Sequence, residues 1–181
     1  MGALTRSDGP AILHLASTIA EKYGLIKDDW NGFNVLHTAA ARVAGMDMNF
    51  LPYNGGLDLE GILSGAMDGT IEIVYLLGAD EIDMSRLGDA FVIYQGHHGD
   101  SGANRADVIL PGAAFTEKNC TYVNTEGRVQ LARQATQPPG EAKEDWKIIR
   151  ALSDSLGRSL SFTTLGDVRA RLVEENSLFD Y

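Results

Sequence analysis

Three apolar runs of the sequence are each followed by a polar, glycine-rich segment, and these segments hold most of the side chains that could do chemistry. The segments are residues 78–81 (Gly-Ala-Asp-Glu), 95–102 (Gln-Gly-His-His-Gly-Asp-Ser-Gly) and 111–112 (Pro-Gly). In an open parallel sheet, ligands bind in the crevice beyond the carboxyl ends of the strands. The sequence therefore predicts a crevice at this place, with the shape that a nucleotide needs.

The charge of this crevice is wrong for a phosphate. Asp80 and Glu81 place two carboxylates after the first run, and neither G-x-G-x-x-G nor G-x-x-x-x-G-K-[ST] occurs. Two like charges about 5 Å apart at an effective dielectric near 20 repel by roughly 3 kcal/mol. The whole chain carries 15 basic and 25 acidic residues, a net charge of −10. Nucleic acid is therefore excluded as an expected partner.

His97, His98 and Asp100 are candidates for metal binding, and either histidine is a candidate for a catalytic base. Adjacent residues of an extended segment point in opposite directions, and the sequence has no third histidine nearby. Hydrogen bonding within the glycine-rich loop is the favoured interpretation, and a hydrolase that uses one of these histidines is the weaker alternative. Cys120, between Asn119 and Thr121, has no adjacent base and is interpreted as structural. We predict no catalytic residue and no metal ligand.

Periodicity and turn residues predict the elements that position these segments. A helix follows Asp8 and ends at Gly24, and residues 27–32 form a loop. The further predicted elements are a helix from Asn34 to Met46, a turn at 52–56, a helix around 59–66, parallel strands at 71–77, 90–94 and 107–111, a hairpin of 121–123 with 128–131, and helices around 146–156 and from Thr164, where Asp167 completes a capping box. The strand at 71–77 is predicted to be central and buried on both faces, because it is uniformly apolar.

Length and composition indicate one globular domain of α/β class. The chain has 181 residues, of which 44% are apolar and 22% charged, and no apolar run reaches the roughly 18 residues of a membrane span. The first six residues lack a signal-peptide core, so a soluble, unexported chain is expected. Pro138-Pro139-Gly140 separates an α/β region, residues 1–137, from a C-terminal helical extension, residues 138–181, predicted to pack on the same core.

A family resemblance rests on the stretch from Tyr94 to Gln130, which reads YQGHHGDSGANRADVILPGAAFTEKNCTYVNTEGRVQ, and on PPGEAKEDWKIIRAL from Pro138. These segments closely resemble the C-terminal part of the large iron–sulfur subunits of respiratory complex I, which comprise the 75 kDa subunit of mitochondria and its bacterial counterpart. The elements ADVILP and TYVNTEGR are shared more widely, with the molybdopterin oxidoreductase superfamily. The form YQGHHGD narrows the resemblance to complex I.

The resemblance implies a function that the residues alone do not. The parent enzyme, an NADH:quinone oxidoreductase, transfers electrons from NADH to quinone and pumps protons. Its iron–sulfur clusters are expected in an N-terminal region missing here, since this chain has one cysteine. The expectation is a catalytically silent scaffold with a Rossmann-like sheet and no cofactor of its own. A stand-alone nucleotide- or pterin-binding protein is the alternative, and the sequence leaves open whether the chain is a gene fragment or a split product.

The resemblance also implies partners and a location. Other subunits of the peripheral arm are the expected partners, without nucleic acid and without membrane insertion. The expected location is peripheral, on the cytoplasmic side of a bacterial inner membrane or the matrix side of the mitochondrial one. Self-association is also predicted, through the helix at 36–46 or the hairpin edge at 122–131, because a complete parent would cover these apolar elements.

Within the superfamily, the segment after the first strand commonly reads Gly-x-Asn-Pro, and here it reads Gly-Ala-Asp-Glu. The change agrees with the charge argument and implies a vestigial crevice without a cofactor. Its predicted residues are Gly78, Asp80, Glu81, Gly96, His97, Asn124 and Arg128. Relatives often carry Ser-Gly or Ser-Ala where this chain has Asn119-Cys120, which predicts a local change at the entry to the hairpin.

Overall fold

The computed structural model describes residues 2–180, which form two compact units. One unit contains residues 2–50 and Thr121–Leu131, and the other contains Leu51–Cys120 and Ala132–Asp180. The helices are α1 Gly9–Lys22, α2 Arg42–Asp47, α3 Leu59–Met67, α4 Ser101–Arg105, α5 Asp145–Ser155 and α6 Leu165–Glu175. The strands are β1 Ile26–Lys27, β2 Trp30–Asn31, β3 Ile73–Leu77, β4 Phe91–Gly96, β5 Val108–Pro111, β6 Cys120–Val123 and β7 Val129–Ala132. The predicted α/β class is confirmed, and no helix within residues 2–180 is both long and apolar enough to cross a membrane.

The parallel sheet contains β3, β4 and β5 in the order β3-β4-β5. Tyr75 lies beside Ile93, and Ile93 lies beside Val108, so consecutive strands are also neighbours. The prediction that residues 71–77 form the central strand is therefore wrong: β4 is central and β3 lies at an edge of this sheet. Both runs are apolar, and their lateral order depends on pairing between distant segments, which periodicity does not report.

One face of this sheet carries the core of its unit. Val74, Leu76 and Val92 are buried there against Leu63 of α3 and against Leu87. The opposite face is open: the exposed fractions are 63% for Ile73, 48% for Leu77 and 46% for Phe91. Burial of β3 on both faces is thus also a wrong prediction. The apolar residues needed for it are present, but on the second face Ile73 and Leu77 stay exposed.

A glycine sets the distance between α3 and the sheet. Gly88 precedes β4 with φ +51°, and a β-carbon placed on it would lie 2.8 Å from the main-chain oxygen of Ala66. The helix itself begins where Asp58 Oδ1 accepts a hydrogen bond of 2.9 Å from the amide of Gly61. Gly88 thus lets the C-terminal end of α3 lie close to the start of β4, because a side chain at residue 88 would push the helix away, and Asp58 caps the other end of α3.

Two sequence predictions fail in the other unit. The helix predicted from Asn34 begins only at Arg42, and Leu36 is 61% exposed. A helix gains most of its stability by burying a face, and residues 34–41 have no buried face to contribute. The loop predicted at 27–32 contains the short antiparallel pair β1–β2, in which Lys27 lies beside Trp30.

Local signals elsewhere are confirmed. Gly127 has φ +81° in the turn between β6 and β7, which pair as a two-stranded sheet. Thr164 Oγ1 accepts the amide hydrogen of Asp167 at 3.1 Å, and Asp167 Oδ2 accepts that of Thr164 at 2.8 Å, as in a capping box. α1 ends before Gly24, whose φ is +62°.

Candidate functional site

The segments after β3 and β4 are joined at the carboxyl end of the sheet. Gly78 turns the chain with φ +61°, and its amide donates to the main-chain oxygen of Gln95 at 2.7 Å. Ser101 Oγ then donates to the main-chain oxygen of Asp80 at 2.9 Å. The two loops are thereby held together, and Asp80 is placed beside Asp100.

The pKa values of Asp80 and Asp100 are shifted in opposite directions. A hydrogen bond with Asp100 raises the pKa of Asp80 above its usual range, and burial and the negative charge of Asp100 raise it further. The same hydrogen bond lowers the pKa of Asp100. When two carboxyl groups lie close together, the state with both groups ionised is disfavoured, because the two negative charges repel each other. The proximity of Asp100 thus makes Asp80 the weaker acid of the two, and the pair presents net negative charge to the crevice.

Tyr94 lies beneath this pair, in the core, and is 3% exposed. Its hydroxyl donates to Asp100 Oδ2 at 3.4 Å. Burial, followed by the charge of Asp100, raises the pKa of Tyr94 to about 12. The phenol is therefore a neutral hydrogen-bond donor at any physiological pH.

A buried polar network occupies the opposite face of β4. Gln95 is 0% exposed; its Oε1 accepts from the hydroxyl of Tyr75, and its Nε2 donates to Asp145 Oδ1 at 2.9 Å. Asp145, the first residue of α5, also forms an ion pair with Lys118. Because each polar group of Gln95 has a partner, the glutamine can be buried and fasten α5 to the sheet.

The end of β5 is closed by the chain that precedes α5. The amide of Gly112 donates to Gly96 O at 2.8 Å, the amide of Ala113 to Lys143 O at 2.8 Å, and the amide of Lys143 to Pro111 O at 3.1 Å. A depression of about 410 Å³ remains between these segments. Its lining includes Gly96, His97, His98, Glu117 and Glu141.

The two histidines on this depression are exposed and contact each other. The ring centroids of His97 and His98 are 4.4 Å apart with planes at 66°. Among residues 2–180, no group of three or more histidine, cysteine, aspartate or glutamate side chains is arranged to hold a metal ion. Cys120 is half-buried, and its Sγ donates to Lys118 O at 3.7 Å. Within residues 2–180, the two histidines thus belong to no metal ligand set.

The predicted site residues fall into both units. Gly78, Asp80 and Gly96 come together at the carboxyl ends of the strands, with Glu81 and His97 exposed in the adjoining loops. Asn124 and Arg128 belong to the other unit, where Asn124 Oδ1 accepts the amides of Glu126 and Arg128 in the hairpin turn. Asn124 therefore has a local structural role.

Sequence reasoning missed the residues that shape this end of the sheet most. They are Tyr75, Tyr94, Gln95, Lys118 and Asp145. One usable signal existed, because a glutamine within an apolar strand needs hydrogen-bond partners if the strand is buried. Those partners are 20 and 50 positions away in the sequence, so only the tertiary structure identifies them.

A family model for molybdopterin oxidoreductases matches residues 1–155. The chain belongs to the molybdopterin oxidoreductase family. Over 98% of its length it is 46% identical to an NADH-quinone oxidoreductase subunit of Rickettsia bellii. It is also 47% identical, over 94% of its length, to the NADH-ubiquinone oxidoreductase 75 kDa subunit of Reclinomonas americana. Identity to the mitochondrial 78 kDa subunit of Candida albicans is 49% over 96% of the chain. The sequence-based resemblance is confirmed.

The chain is much shorter than these relatives. It spans about a quarter of their length, 24% of the Rickettsia protein and 23% of the Candida protein. Among solved structures, acetylene hydratase from Pelobacter acetylenicus is similar over 55% of this chain and 16% of its own, with a TM-score of 0.47 and 20% identity.

The family name implies a molybdopterin cofactor, and the residues at the β3–β4 end of the sheet do not fit one. Asp80, Glu81 and Asp100 present carboxylates where the phosphate of a pterin nucleotide needs hydrogen-bond donors or cations. Tyr94 moreover lies against the glycines Gly96 and Gly102, where such a group would approach the backbone. No chemical step is therefore assigned to that cofactor in this chain.

Proposed function

We propose that this chain is a catalytically silent scaffold and interface region of a complex I large subunit. The parent enzyme transfers electrons from NADH to quinone with proton translocation, and this region carries no cofactor of its own. The relatives are subunits of NADH-quinone or NADH-ubiquinone oxidoreductases by name, which supports the assignment to that complex. The region lies in the peripheral arm and contributes packing surface.

The observation that carries this proposal is the open face of the parallel sheet, here called the open face. Its exposed rows, read from the strand register, are Ile73–Phe91 and Tyr75–Ile93–Val108, and the next row, Leu77–Gln95–Leu110, ends the open face because Gln95 is buried. Parallel sheets in proteins are covered on both faces, because their connections place helices there. An uncovered apolar row is also the usual mark of a contact surface.

The width of the open face matches the diameter of one α-helix. Three strands spaced about 4.8 Å apart span roughly 10 Å between the outer two, which is the diameter of one α-helix. Gln95 and Asp145 close one end of this strip. We propose that an amphipathic helix from another part of the complex I polypeptides packs along the strip. A second copy of the chain is disfavoured, because a standard interface buries about 800 Å² on each partner and a strip of this size offers less.

Photochemical cross-linking in the assembled complex tests this proposal. A benzoylphenylalanine introduced in place of Phe91 lies on the open face, and the control position is Phe115, which is also exposed but outside the sheet. The expected result is a cross-link from position 91 to a polypeptide of complex I, identified by mass spectrometry. A cross-link only to a second copy of this chain, or no cross-link from position 91, would contradict the proposed packing.

Absence of a cofactor is tested separately on the purified chain. Elemental analysis for iron and molybdenum and a visible spectrum are the measurements, and we expect neither metal in stoichiometric amount. The single cysteine supports this expectation, since an iron–sulfur cluster usually takes four. Stoichiometric metal, or absorbance in the visible range, would overturn the cofactor-free scaffold.

A nucleotide- or pterin-binding protein is the second candidate. The depression of about 410 Å³ beside His97 and His98 favours it, because ligand pockets have volumes of this order. Asp80 and Glu81 oppose it by charge. Calorimetric titration of the purified chain with GDP distinguishes the two candidates, and we expect no binding at millimolar nucleotide.

A further inference from the structure

Two glycines at the end of the central strand are required by a side chain of this same protein. A β-carbon placed on Gly96 would lie 2.3 Å from Tyr94 Oη, and one placed on Gly102 would lie 2.7 Å from Tyr94 Cε2. Neither glycine has positive φ, so the backbone conformation does not demand glycine at either position. What demands it is the space that the phenol ring occupies.

Glycines beside a strand end can serve a ligand or the close packing of a helix on the strand. In nucleotide-binding sheets they let a pyrophosphate approach the main chain more closely than a β-carbon would allow. Here that close approach is made by Tyr94, which is buried, and the carbonyl oxygen of Ala79 lies 3.3 Å from the same point on Gly102. The space is thus filled from within the fold.

Charge reinforces this filling. The hydroxyl of Tyr94 donates to Asp100 Oδ2 at 3.4 Å, and Asp100 is hydrogen-bonded to Asp80. A carboxylate therefore lies within hydrogen-bond distance of the hydroxyl that packs against Gly96, and an anion that reached this hydroxyl would meet it. The ring of Tyr94 excludes a ligand by its volume, and Asp100 excludes an anion by its charge. The two side chains are hydrogen-bonded to each other, so both effects act at the same place.

We propose that Tyr94 is an internal plug, whose ring fills the space at Gly96 and Gly102 in which a pyrophosphate group would lie and closes the β3–β4 side of the crevice to such ligands. The inference deepens the proposed cofactor-free function and rests on it, because a plug has meaning only if the intact chain binds no such group there. It assigns the exclusion of pyrophosphate to the side chain of Tyr94, whereas the sequence suggested this exclusion only through the charges of Asp80 and Glu81.

The test uses the full chain and inorganic pyrophosphate in titration calorimetry. The opened variant combines Tyr94→Val, which removes the ring, with Asp80→Asn, which removes one charge. The matched control combines Tyr94→Phe with the same Asp80→Asn, so that the ring stays and the charge change is identical. Far-UV circular dichroism establishes that each variant is folded.

We expect binding by the opened variant only, with a Kd at least roughly tenfold below the highest pyrophosphate concentration at which the control shows no binding, since only in the opened variant is the space free. Binding by the Tyr94→Phe control would show that charge alone closes the crevice and would overturn the plug. Absence of binding by every folded variant would overturn it as well. Both of these results leave the scaffold function intact, whereas binding by the unmodified chain would overturn the plug and the cofactor-free function together.

A ligand-independent measurement covers the case in which Tyr94→Val does not fold. Gly102 lies within α4, where alanine is intrinsically favoured over glycine. We expect Gly102→Ala to lower the unfolding midpoint of the unmodified chain and of the Tyr94→Phe variant, because the added methyl meets the ring in both. An unchanged or raised midpoint in these two backgrounds would overturn the plug.

Discussion

Replacing Gln95 with leucine should destabilise the unit that contains the parallel sheet. The substitution keeps the size of the side chain and removes both of its hydrogen bonds, from the hydroxyl of Tyr75 and to Asp145 Oδ1. A bond between neutral groups contributes about 0.5–1.5 kcal/mol and one to a charged group about 1.5–3 kcal/mol. The loss is therefore about 2–4.5 kcal/mol before compensation.

Leucine offsets part of this loss, because burying its side chain contributes about 1.5–3 kcal/mol and Gln95 is fully buried. From the centres of these two ranges, the net change is a destabilisation of about 1 kcal/mol. For a urea m-value of about 2 kcal/mol/M, the unfolding midpoint should fall by about 0.5 M. Gln137→Leu is the matched control, since Gln137 is an exposed glutamine of the same unit, and its midpoint should stay within about 0.3 M of the unmodified chain.

The assay must report on the correct unit, because two compact units can unfold separately. The chain has two tryptophans: Trp30 lies in one unit, and Trp146, in α5, lies in the other. Urea unfolding followed by the fluorescence of Trp146 in a Trp30→Phe background isolates the relevant transition. Equal midpoints for Gln95→Leu and Gln137→Leu would refute the view that the buried network stabilises this unit.

Three further predictions concern a helix cap, a pH dependence and an exposed strand. Thr164→Ala should cost about 1 kcal/mol in urea unfolding, because the hydroxyl that accepts the amide of Asp167 is lost. The raised pKa of Asp80 gives a contribution to stability that is present below the unfolded carboxyl pKa of about 3.9 and is lost as the pH rises through the folded value. The lowered pKa of Asp100 gives a contribution to stability that is lost as the pH falls. Asp80→Asn should therefore gain stability relative to the unmodified chain as the pH rises above about 4 in parallel urea titrations, and a difference independent of pH would contradict the raised pKa of Asp80. Self-association stays a prediction: Leu131→Lys on the exposed strand β7 should lower the concentration dependence of the mass measured by light scattering, and an unchanged dependence would place the contact elsewhere.

Local signals in the sequence predicted local structure well. The pair Thr164 and Asp167 closes its capping box, and Gly24 and Gly127 adopt the positive φ that the end of α1 and the hairpin turn require. Each of these features depends on residues within a few positions of one another. Such contacts form by the same chemistry in any surrounding fold, so the sequence alone suffices.

Predictions that needed distant partners failed or were incomplete. The run 71–77 has the composition of a central strand, yet β4 holds that place, because lateral order is decided by which strands pair. The helix predicted from Asn34 lacks a buried face along its first eight residues and begins at Arg42. The strand ends do come together as predicted, but the sequence presents Tyr94 only as part of a strand, since nothing in it shows that the ring reaches Gly102.

The side chains on the two faces of β4 explain why this strand end stabilises the fold and leaves no space for a ligand. Successive residues of a strand point to opposite faces, so Tyr94 and Gln95 close the end of the same strand from both sides. Tyr94 fills the glycine-lined space on the core side, and Gln95 fastens the start of α5 through Asp145 on the other. Functional sites often keep unsatisfied polar groups and open space at a cost in stability. At this strand end the glutamine is fully hydrogen-bonded and the space is filled, so the residues that would have to yield to a ligand are those that hold the sheet together.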